Sequence, residues 1–122
     1  MDASEIARLA GLVLKEGDFD VAVAFLRFPK TQRKEVVWFL LKLMLGCRRA
    51  DQANYISYLL AEFVPAGTPT GMNWALRKYE FRMYQRLGLR RGVDRCLRRY
   101  VSLSAEGREL LRSPGNGGLL NP

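Results

Sequence analysis

Leu87-Gly88-Leu89-Arg90-Arg91-Gly92-Val93-Asp94-Arg95-Cys96-Leu97-Arg98-Arg99-Tyr100-Val101-Ser102-Leu103 is compatible with two local structures. Glycines 88 and 92 bracket the short run Leu89–Val93, and Asp94-Arg95 offers a turn. Arg98–Leu103 then carries aromatic and β-branched residues in rough alternation, the pattern of a β-hairpin. Val93, Leu97, Tyr100 and Val101 equally fit one face of a helix, and periodicity does not separate the two over so short a span.

Upstream the pattern is helical. Asp2 and Glu5 stand three apart, a capping-box spacing. Ile6, Leu9, Ala10 and Val13 follow at helical intervals, with Gly17 as the stop. Asp18 or Asp20 opens a second helix carrying Val23, Phe25 and Leu26, and Pro29 ends it, giving a helical hairpin over 3–28. Thr31 is placed to cap a third helix running to Gly46. Its apolar run, Val36 to Leu45 broken by Lys42, falls short of the roughly 20 residues that cross a bilayer. It predicts a core helix and no membrane association, and its apolar excess admits either burial all round in the monomer or a homodimer through the 3–46 helices. Asp51 is placed to cap a fourth helix with Tyr55, Ile56, Leu59, Leu60 and Phe63 on one face. Pro65–Gly71 is the clearest loop. A fifth helix is expected over about 72–87, with Leu76, Tyr79, Met83 and Leu87 inward and Lys78, Arg82 and Arg86 on another side. The expectation is one domain over 1–112, divided into the hairpin 3–28 and a second part 31–112, with a flexible tail over 113–122.

The charge is unevenly placed. Of the net +8, residues 1–76 contribute almost nothing, with nine Lys/Arg against eight acids. Residues 77–112 hold eleven Lys/Arg against four acids, and ten of the eleven are Arg. Solubility does not require such segregation; it is the footprint of a polyanion-binding face. Arg presents a planar fork that matches phosphates and guanine edges.

The same residues argue against catalysis. The absence of His removes most zinc sites, Ser-His-Asp and Cys-His arrangements, and the commonest general base. Cys47 and Cys96 form no CxxC and read as reduced thiols. Gly115-Asn116-Gly117-Gly118 is no phosphate loop, since it follows no strand. No metal, cofactor or enzymatic activity is expected. Met1-Asp2-Ala3-Ser4-Glu5 lacks a basic signal-peptide region, so a cytoplasmic, nucleoid or nuclear protein is expected.

Extended through Ser104-Ala105-Glu106-Gly107-Arg108-Glu109-Leu110-Leu111, the segment 87–111 resembles the wing region of MarR-type winged-helix regulators. Gly88-Leu89 resembles the step after the recognition helix, Asp94-Arg95 the wing tip, and Leu103–Leu111 the start of the following helix, with Ser104 standing where that family has a capping Thr. The resemblance implies a mostly α fold with a small β-hairpin wing, a winged helix-turn-helix, in which 34–46, 50–63 and 72–87 are the three helices. It implies a sequence-specific duplex-DNA-binding transcriptional regulator. Asn73 and Arg77 would read base edges, and Lys78 and Arg82 would sit on phosphates. Arg95, Arg98 and Arg99 of the wing would lie along the minor groove, and Gln52 and Asn54 would touch backbone.

The helical alternative for 92–101 gives an all-α bundle whose basic face binds RNA or single-stranded nucleic acid. A third possibility is a basic helical adaptor for an acidic protein partner. Trp74, Tyr79, Tyr84 and Tyr100 are expected in or near the core, Arg86, Arg90 and Arg91 along a domain edge, and Glu80 in an ion pair with a neighbour such as Arg77.

Overall fold

The computed structural model describes residues 1–64 and 71–103, and every regular element among them is helical. The six are α1 (Ala3–Glu16), α2 (Phe19–Arg27), α3 (Arg33–Gly46), α4 (Ala50–Phe63), α5 (Gly71–Arg86) and α6 (Arg90–Leu103). The loop expected over Pro65–Gly71 lies, up to residue 70, outside the described residues. So do the segment 104–111, where a capped final helix was expected, and the tail 113–122.

The β-hairpin wing is absent, and the winged helix-turn-helix reading is corrected to an all-α bundle. The physical reason is the face that α6 buries. Gly92 and Cys96 are buried and Leu89, Val93 and Leu97 half-buried, whereas Arg90, Arg91, Asp94, Arg95 and Arg98 are exposed. That stripe recurs at three- and four-residue steps, so a helix presents all of it to α5 at once. A strand would turn Cys96 and Leu97 to opposite sides.

Both glycines that seemed to flank a strand have helical work. Gly88, at φ 68°, is the left-handed residue that ends α5. Its N–H donates to the Gln85 carbonyl (3.1 Å), and the Leu89 N–H donates to the Tyr84 carbonyl (2.9 Å). These are the two bonds of a Schellman motif. Three residues therefore turn α5 into α6. Gly92 sits where α6 crosses α5, against the Tyr84 ring. A Cβ at that position would fall inside the ring's contact surface, at Cδ1, Cγ and Cε1.

The apolar run of α3 is buried on almost all sides. Val37, Phe39, Leu40, Leu43 and Met44 are buried, and Val36, Trp38 and Leu41 partly so, under α1, α4 and α5. Leu45, at the end of the run, is exposed. Phe25 of α2 adds a tilted ring contact to Phe39, 4.8 Å between centroids. α1 starts with Asp2 Oδ1 accepting from the Glu5 N–H (2.9 Å) and ends at Gly17 in the left-handed region.

Two caps differ from expectation. α3 is capped by Gln32, whose N–H donates to Glu35 Oε1 (2.9 Å), while the Thr31 hydroxyl donates to the Phe25 carbonyl. Arg49 precedes α4, and Asp51 lies in the first turn, ion-paired to it at 2.6 Å. The α3 C-terminus is closed from a distance: the Arg86 guanidinium donates to the carbonyls of Met44 (3.0 Å), Leu45 (3.0 Å) and Cys47 (2.6 Å). A cation among the last carbonyls of a helix satisfies orphan acceptors and opposes the helix dipole. No helix among the described residues is long and apolar enough to cross a membrane.

Candidate nucleic-acid interface

α5 is an interior helix. It packs against α3, α4 and α6, burying Leu76, Arg77, Glu80, Phe81, Met83 and Tyr84. Arg77, expected at a guanine edge, is only 4% exposed and donates through Nη2 to the Val64 carbonyl at 3.1 Å. Its Nη1 stands 3.9 Å from the buried Glu80 carboxylate, in agreement with the expected ion pair. Asn73 accepts a hydrogen bond from Arg33 of α3. Lys78 and Arg82 are half-buried along α5. Gln52 is buried and donates to the Leu14 carbonyl at 2.9 Å, tying α4 to the end of α1, so it is structural. Arg77, on the inward face of α5, is therefore not placed to reach a base edge.

The cationic surface forms elsewhere. α4 and the start of α6 diverge around Tyr84 and leave an open groove of about 720 Å³. α4 contributes Asn54, Ser57 and Tyr58 to it, and α6 contributes Arg90, Arg91, Gly92, Arg95 and Arg99. The sequence explains the convergence. Residues 91, 95 and 99 follow one four-residue ridge of α6, and Arg90 joins them because the short turn at Gly88 points the first turn of α6 at the groove. That first turn also leaves backbone N–H groups without intrahelical partners and carries the positive end of the helix dipole.

Tyr84 forms the floor and holds Arg95. Arg95 Nη2 donates to the Tyr84 hydroxyl at 2.8 Å, and the guanidinium carbon lies 5.3 Å from the ring centroid. The same hydroxyl is 2.7 Å from Ser57 Oγ, 3.2 Å from Asn54 Oδ1 and 3.3 Å from the Ala53 carbonyl. Its single proton serves one of these acceptors at a time. Burial pushes the Tyr84 pKa above its ordinary value, so the group stays a neutral phenol at physiological pH. Arg99 is anchored differently, with Nη1 3.3 Å from Glu80 Oε1. Glu80, 1% exposed, thus lies between Arg99 and the buried Arg77. Arg90 and Arg91 are exposed and form no ion pair among the described residues. Arg98 is exposed on α6 but does not line the groove.

Of the nine residues expected to contact nucleic acid, Asn54, Arg95 and Arg99 meet in this groove. Sequence reasoning put Arg90 and Arg91 at a domain edge and overlooked Tyr58. The 91–95–99 spacing was the signal, legible only once the segment is read as a helix. The thiols lie outside the groove's chemistry. Cys96 and Cys47 are both buried, and burial pushes both pKa values up, that of Cys96 strongly with the Glu80 carboxylate adding to it. Compared with known proteins, the chain matches no family model, no curated protein and no solved structure.

Proposed function

We propose that this protein is a nucleic-acid-binding accessory protein that seats a phosphate backbone in the groove between α4 and α6. The observation that carries the proposal is the convergence of Arg90, Arg91, Arg95 and Arg99 on one cleft at the N-terminus of a helix. Arginine forks and helix N-termini are both ordinary phosphate-binding devices, and here they face the same space. Arg95 is already positioned by Tyr84, so ordering it on binding costs little. A groove contact replaces duplex reading through Arg77 and a wing, because Arg77 is buried and the wing is absent.

The test is an anisotropy titration of a labelled oligonucleotide at low salt with the double variant Arg90→Ala/Arg91→Ala. Both side chains are exposed, so folding is retained. Each lost phosphate contact should cost roughly 1 kcal/mol, or about 30-fold for the pair. Arg8→Ala/Lys15→Ala, an equal loss of two charges from exposed positions of α1, should change affinity little. Equal effects from the two variants would reduce the binding to unlocalised attraction by net charge.

A further inference from the structure

The groove continues onto α4 as a row of rings. Tyr58, 56% exposed, lines the groove opposite the arginines. Its ring meets Tyr55 edge-on at 5.7 Å, and Tyr55, 36% exposed, meets Phe19 of α2 at 4.5 Å. The core does not need these two tyrosines, because α4 buries another face, through Ala53, Ile56, Leu59 and Leu60. They are held nonetheless: Phe19 is packed against the core and buttresses Tyr55, which in turn borders Tyr58. Exposed rings with fixed positions beside a cationic cleft are a stacking platform beside a phosphate track.

We infer that the ligand of this site is a single-stranded nucleic acid, with its phosphates among the α6 arginines and successive bases on Tyr58 and Tyr55. The inference rests on the groove reading above and adds the ligand's strandedness. A duplex hides its base faces within its own stack and offers nothing to these rings; a single strand offers every base, whatever its sequence. Sequence preference is accordingly weak, and affinity follows accessible bases as well as charge.

The test uses the full chain and three probes: a labelled single-stranded oligonucleotide, a duplex of the same length, and inorganic polyphosphate as a competitor without bases. Tyr58→Ala should weaken the single strand about tenfold, within the range for loss of one base–aromatic stack, and leave polyphosphate competition unchanged. Tyr58→Phe should bind as the parent does, because the ring face and not the hydroxyl makes the contact. The wild-type chain should prefer the single strand to the duplex. Unchanged single-strand affinity in Tyr58→Ala, or equal affinity for duplex, would overturn the inference. If Arg90→Ala/Arg91→Ala still weakens every probe in that case, the groove stands and only the stacking fails. If it weakens none, the groove reading fails with it. Absence of binding to all three probes, with capture of an acidic peptide instead, would overturn both.

Discussion

Gly92 shows how one residue fixes a helix crossing. Alanine is the better helix former by about 1 kcal/mol, so a solvent-facing glycine in α6 would gain from the change. At position 92 the added methyl would meet the Tyr84 ring, and that ring cannot swing aside without giving up its hydroxyl bonds to Arg95 and the α4 groups. Overpacking of this kind costs up to about 3 kcal/mol, which outweighs the propensity gain. Gly92→Ala should therefore lose roughly 2 kcal/mol in denaturant unfolding, and equal or higher stability would show that α6 does not cross α5 there. Arg86 carries a comparable load by another route, since three carbonyls at the end of α3 share its guanidinium. Arg86→Ala should cost about 1–2 kcal/mol, its partial exposure keeping the loss below that of a buried network. Arg86→Lys should recover only part of it, because a point charge does not reach three acceptors at once. A chemical denaturation series of the two variants reads both numbers.

At the scale of elements, what the sequence made legible follows from how much each segment buries. α1 and α3 are announced by long periodic or apolar runs, and the structure has them where Ile6, Ala10, Val13 and Phe39–Met44 place them. Position 92 misled because a glycine bracketing a short apolar run looks the same whether it bends a strand or admits a neighbouring ring. Gly88 misled likewise: the step read as the entry to a wing is a Schellman cap between two helices. Arg77 misled for a third reason. The pair with Glu80, three residues on along α5, is legible in the sequence, but it does not tell an arginine on a phosphate from one folded inward, since the Val64 carbonyl becomes a partner only through tertiary packing. The account of α6 has a direct check. Backbone chemical shifts and sequential amide–amide contacts across 90–99 should be helical without a break. Cross-strand contacts between 89–93 and 98–103 would restore the hairpin.

For the molecule as a whole, the division of labour follows the division of charge. α1 to α4 come from the nearly neutral part of the chain and supply most of the core. α6 carries five Arg against one Asp and lays four of the arginines along one side of a groove whose other wall is α4. A stretch that looked uniformly basic is thereby sorted. Arg77 is interior, Arg86 closes a helix, Arg95 and Arg99 are anchored at the groove, and Arg90 and Arg91 stand open to a ligand. The central claim is that a phosphate backbone lies in that groove, and its most direct test is the salt dependence of binding. An anisotropy titration of the wild-type chain with a single-stranded oligonucleotide, repeated at stepped salt, gives the slope of log affinity against log salt. Four arginines on four phosphates at about 0.7 each predict a slope of roughly −3. A slope near zero, or no binding at the lowest salt, would contradict the account.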